Sequence, residues 1–210
     1  MRNLFLSATA VALLWMAFGA TQASAQSADS AAPAQSAQSS DKTAPSYDMK
    51  PQALLDLKGL QKKFVDLAGA IPQEKYTWRP GNGVRSVSEV FLHVSGANYA
   101  IPGFMGTPIP AGLDLKTLEK STTDKSQVIN QLNKSFESAE AAVEGMTNAD
   151  FAKPLKKLGP DANYGDVVYL LVTHAHEHLG QSIAYARMNG VVPPWTAAAQ
   201  KKTPQQPRTD

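Results

Sequence analysis

Apolar residues in this chain recur with the period of an α-helix and in no segment with the two-residue period of a strand. Leu54, Leu57, Leu60, Phe64 and Leu67 step by three and four, the spacing that puts side chains on one helical face. Val128, Leu132, Phe136, Ala139, Val143 and Met146 do the same, as do Val167, Leu171, His174, His178, Gln181 and Tyr185. A shorter stripe holds Val90, His93 and Ala97. Local signals bound each stripe. Ser86-Val87-Ser88-Glu89 is a capping box, and Asn163 with Asp166 three residues on suits a helix start. Asn189-Gly190 followed by Pro193-Pro194 is a stop. The pattern predicts helices over roughly 48–70, 86–101, 124–145 and 164–189, with a short turn near 115–120. Four long amphipathic helices without strands imply an all-α fold, an up-down four-helix bundle whose helices alternate in direction.

The bundle occupies 47–195, the length of one ordinary domain. Met1-Arg2-Asn3, an apolar run to Ala20 and then Ala23-Ser24-Ala25 read as a signal peptide over 1–25, cleaved before Gln26. A retained anchor is the alternative, but the run is shorter than the roughly 20 residues a spanning helix needs, and a cleavage signal follows it. Localisation is therefore expected to be periplasmic or secreted, with no membrane attachment after cleavage. Residues 26–46 are Ala, Ser, Gln and Pro with scattered charges and nothing large to bury, a disordered linker; 196–210 read as a disordered tail in the same way. With no cysteine the chain has neither disulfides nor thiolate ligands, and its core must hold the fold. The formal charge of +2 gives no electrostatic case for nucleic acid or an anionic membrane.

The chain has only four histidines: His93, His174, His176 and His178. Residues four apart on a helix differ by about 40° in direction, so His174 and His178 share the face that carries the apolar stripe. His93 interrupts the stripe of the second helix. Two such stripes meeting in a bundle bring three imidazoles together. Burying them without partners is costly, and a divalent ion relieves that by taking one nitrogen from each ring. Three neutral nitrogens with an open position suit zinc or nickel best, with iron or manganese also compatible. A lone inward histidine is more often a hydrogen-bonded core residue; it is the three together that point to a metal. His176 lies about 200° from His174 and is expected at the surface. Glu177 sits beside the stripe, as a hydrogen-bond acceptor, a general base or a solvated carboxylate.

These features resemble the DinB/YfiT-like family of metal-binding helix bundles. The likeness rests on WRPGNGVRSVSEVFLHV and HAHEHLGQSIAYARMNG in their places along the chain. It implies that His93, His174 and His178 bind a divalent metal, with Leu179-Gly180-Gln181 completing the signature; the family commonly has Arg where this chain has Leu179. Some members of the family are metal-dependent transferases or isomerases using a small thiol such as mycothiol or bacillithiol. Those thiols are cytoplasmic, so an exported chain is not expected to use them. Trp78 and Arg85 either line the mouth of the site and bind an anionic substrate, or, for Trp78, pack as a lid over the bundle end. Asn98, Tyr99, Gln181 and Tyr185 are candidates to support the ligands or line the pocket, with core packing the alternative for the tyrosines. The function expected is a metal-dependent transferase or hydrolase of unknown small-molecule substrate, the alternative a non-catalytic periplasmic metal- or ligand-binding protein. A homodimer is compatible with either.

Overall fold

The structure, a computed structural model, describes residues 48–202. The signal peptide and linker expected over 1–46, and the end of the tail over 203–210, lie outside the described residues. Four long helices carry the fold: α1 (Met49–Ala70), α2 (Val87–Ala100), α4 (Lys125–Glu144) and α5 (Tyr164–Met188). Between α2 and α4 lies the short α3 (Leu115–Leu118), and α6 (Pro194–Lys202) ends the described chain. Among the described residues there is no strand, only an isolated antiparallel bridge between Pro154 and Asn163. No described helix is long and apolar enough to cross a membrane.

The helix ends fall where the local chemistry puts them. At α2 the Ser86 hydroxyl accepts from the Glu89 N–H at 3.3 Å while the Glu89 carboxylate accepts from the Ser86 N–H at 2.7 Å. Asn163 and Asp166 form the same reciprocal pair at the start of α5. α5 stops at Asn189. Gly190 takes the left-handed φ of 74°, and the Val191 N–H reaches back to the Ala186 carbonyl, a turn that L side chains rarely adopt.

α1 and α2 each pack against both α4 and α5, so the order around the bundle is α1, α4, α2, α5. Phe64 of α1 ties three helices together, with ring centroids 6.3 Å from Phe91 of α2 and 5.6 Å from Phe136 of α4. Strict alternation of direction is not what the chain adopts. Lys50 at the start of α1 donates to the Glu144 and Met146 carbonyls, and Lys125 at the start of α4 to those of Gly69 and Ile71, so α1 and α4 are antiparallel. The loop into α2 is held at that same end, by the Tyr76 hydroxyl on the Ala68 carbonyl at 2.8 Å. Hence α2 and α4 start together and run the same way, while α5 ends there, its Tyr185 ring against Trp78. The bundle is up-down-down-up. The cause is the connection over 101–124, long enough to carry the chain back along the bundle before α4 begins.

The tail departs from expectation as well. Residues 194–202 are helical, and α6 packs on α1 with the Lys63 ammonium 6.0 Å from the centre of the Trp195 ring. Proline opens the helix without losing a needed N–H, and the following alanines, glutamine and lysines are good helix formers.

Phe64 is fully buried and Leu55, on the same helix, is 66 % exposed. Phe64→Ala should cost about 3–5 kcal/mol and Leu55→Ala no more than about 0.5 kcal/mol in chemical denaturation. Equal stabilities for the two variants would contradict this placement of the core.

Candidate metal centre

α2 and α5 cross with His93 facing His174 and His178. One ring nitrogen from each lies within 4.8 Å of the others, and the ring centroids are 4.5–5.2 Å apart. The rings do not sit at the centre of the core. On α5 the fully shielded line runs through Leu171, Ala175, Leu179, Ser182 and Ala186, and the two histidines occupy its shoulder, partly buried. Leu179 is thus a core residue, 4 % exposed. The centre therefore lies on the seam of α2 and α5 and opens sideways.

Each ring's outer contacts decide which nitrogen is spare. His178 Nδ1 lies 2.8 Å from Gln181 Oε1, whose amide N–H donates to the Tyr185 hydroxyl at 3.1 Å. The amide oxygen only accepts, so His178 carries its proton on Nδ1 and its Nε2 lone pair is free. His93 Nδ1 lies 3.2 Å from Glu119 Oε2, and by the same logic donates to the carboxylate and leaves Nε2 bare. Glu119 is itself held by the Arg85 guanidinium, Nε to Oε1 at 2.9 Å. His174 Nδ1 is buried and finds no hydrogen-bond partner among the described residues.

His93 Nε2 and His174 Nε2 are 3.2 Å apart. Two nitrogens bound to one tetrahedral ion at about 2.0–2.1 Å would lie roughly 3.3 Å from each other. The donor set fits a divalent transition ion: neutral imidazoles fixed by a carboxylate and an amide, with bare nitrogens turned inward. Charge agrees with that. Burial first, then His178 and His93, push the His174 base down to about 4. His93 is lowered by burial, Arg85 and His178, with Glu119 opposing. Both rings are held in the neutral form that can ligate.

The remaining candidates separate cleanly. Gln181 and Tyr185 belong to the site, linked to His178 as above, and Trp78 packs edge-on against Tyr185 at 5.4 Å, closing the bundle end. Arg85 does not line the cleft; its Nε is held by Glu119 at 2.9 Å, and its charge acts on His93 and His174 from there. Asn98 and Tyr99 face α4 instead, the Asn98 amide donating to Ser135 Oγ and the Tyr99 hydroxyl accepting from Gln131. They lie about 140° and 120° around α2 from His93, too far to turn back. His176 is exposed, and so is Glu177, which acts on His174 only through its charge. Glu119 itself was not foreseen: it follows α3, whose Leu118 packs on Gly96 of α2, and nothing in LDLKTLEK marks one carboxylate over another.

A cleft of about 390 Å3 runs from His93, His174 and Glu119 between α2, α3 and α5. An all-α bundle with three histidines of two helices converging beside a cleft defines a class of helix-bundle proteins. Residues 56–182 match the DinB superfamily, more than half of the chain, and the chain belongs to it. The fold is similar to the crystal structure of a DinB-like protein from Bacillus cereus ATCC 10987, with a TM-score of 0.59 at 15 % identity, covering 69 % of this chain and 95 % of that one. No curated protein matches the chain.

His174 and His93 titrate lower here than the value of about 6.5 expected in an unfolded chain, so protons favour unfolding. Stability of the metal-stripped protein should be full above pH 6.5 and fall as pH drops toward 4, more steeply than in His174→Asn. Denaturation midpoints between pH 7 and 4.5 check this; parallel curves for the two proteins would refute it.

Proposed function

We propose that this chain is a metal-dependent enzyme of the transferase or hydrolase kind, with His93, His174 and His178 holding one divalent transition ion at the inner end of the cleft. The convergence of three ring nitrogens supports this reading above all else. The donor set contains neither thiolate nor carboxylate, which favours zinc or nickel over magnesium or calcium. Bound there, such an ion acts as a Lewis acid and lowers the pKa of a coordinated water. The chain's own groups orient the rings: Glu119 keeps the His93 proton on Nδ1 and Gln181 does so for His178.

A non-catalytic carrier of metal or small ligand is the second reading. It is favoured by Glu119, the carboxylate lining the cleft, being engaged by His93 and Arg85 and so poorly placed to move protons. We also propose that the protein acts outside the cytoplasm, on the strength of its leader; N-terminal sequencing from the native host should find Gln26 first, and an intact Met1 would mean a retained anchor.

Elemental analysis of untagged protein, followed by titration of the metal-stripped form with zinc and with nickel, tests the central claim. About one ion per chain is expected, lost in His93→Ala, His174→Ala and His178→Ala and retained in His176→Ala. Glu119→Ala and Gln181→Ala should weaken binding by about 10–100-fold. Retention of the ion in His93→Ala, or its loss in His176→Ala, would remove the proposed site.

A further inference from the structure

The cleft beside the histidines is chemically lopsided. Ala97 and Ala100 of α2, Ile101 after it, Leu115 and Leu118 of α3 and Leu170 of α5 form its walls. Its polar groups, His93, His174 and Glu119, cluster at one end. No cationic side chain lines it, and the neighbouring Arg85 has its Nε on Glu119 at 2.9 Å. Leu170 remains 38 % exposed and Ala100 is exposed, so part of this apolar wall faces solvent.

Each of these facts restricts the occupant. Away from the histidine end no cationic side chain lines the cleft, so a charged group there would lose water with nothing to pair with. A strongly polar ligand, such as a sugar, would lose water along walls that offer no hydrogen bonds in return. An apolar chain gains by leaving water there. A volume of about 390 Å3 is within the range of small-molecule sites.

Resting on the three-histidine metal reading above, we infer that the cleft takes a small molecule with one metal-binding head group and an uncharged, apolar tail running between α2, α3 and α5. The head meets the ion at the histidine end, and the tail lies along Ala97, Ala100, Ile101 and Leu170. Along the tail's path the walls carry no charge of either sign, so a charged tail is disfavoured. The anionic substrate bound by Arg85 that the sequence suggested is replaced by an amphiphilic one whose tail is apolar.

The test uses the full chain loaded with zinc, its zinc content first verified by elemental analysis. Calorimetric titration with straight-chain hydroxamic acids, from acetohydroxamic to octanohydroxamic acid, reads head and tail separately. Each added methylene should tighten binding roughly two- to fourfold, the upper figure corresponding to full burial. A terminal carboxylate on the longest chain should abolish that gain. Ala100→Trp and Leu170→Glu, both at positions already open to solvent, should flatten the series while zinc stays bound and acetohydroxamic acid still binds. Flat affinity along the series in the zinc-loaded wild type, or failure of acetohydroxamic acid to bind it, would overturn the inference and leave the metal reading standing. A wild-type protein that takes up no zinc or nickel would overturn both.

Discussion

The packing of α2 against α5 is the contact on which the site depends. Those helices run antiparallel with their partly polar shoulders facing, and that registers His93 between His174 and His178. The contact is not stabilised by the imidazoles. Behind it lies the buried cluster that includes Leu171, Ala175 and Leu179 of α5 and Val90 and Val94 of α2, all shielded from solvent. Burial of this kind contributes on the order of 25 cal/mol per Å2, enough to carry a few polar rings at the seam. The core of the bundle thus assembles a donor set that would not assemble on its own.

Two further layers make that donor set usable. The Ser86 and Asn163 capping boxes set where α2 and α5 begin, and with them the height of each histidine along the bundle. Glu119 and Gln181 then fix which nitrogen each outer ring turns inward. Removing either layer leaves a bundle with three histidines in it, but not three lone pairs aimed at one point. The return of the chain over 101–124 serves the same end. By passing back along α2 it lays α3 beside the site, and this brings both a carboxylate to His93 and an apolar wall to the cleft.

What the sequence showed and what it hid divide along the reach of the interactions. Helix ends are local events, read from Ser86, Glu89, Asn163, Asp166 and Gly190, and they fall within a residue or two of expectation. The His174–His178 pairing is equally local, a matter of helical geometry, and so is the outward turn of His176. Glu119 was invisible because its role comes from a fold-back that brings residues 26 apart in sequence together. Helix direction was invisible for a related reason, since it depends on the path of a long connection rather than on any periodicity. Asn98 and Tyr99 seemed close to His93 by count, yet rotation about α2 carries them to α4. The helix after Pro193 was missed because its alanines and lysines suit a solvated tail as well as a surface helix.

Crystals of the metal-loaded protein, with anomalous diffraction recorded on either side of the metal's absorption edge, test the central claim most directly. A single anomalous peak per chain is expected between α2 and α5, coordinated by Nε2 of His93 and by a ring nitrogen each of His174 and His178, with Glu119 and Gln181 still on the outer nitrogens. A peak elsewhere, one that includes His176, or none beside these three rings would contradict it.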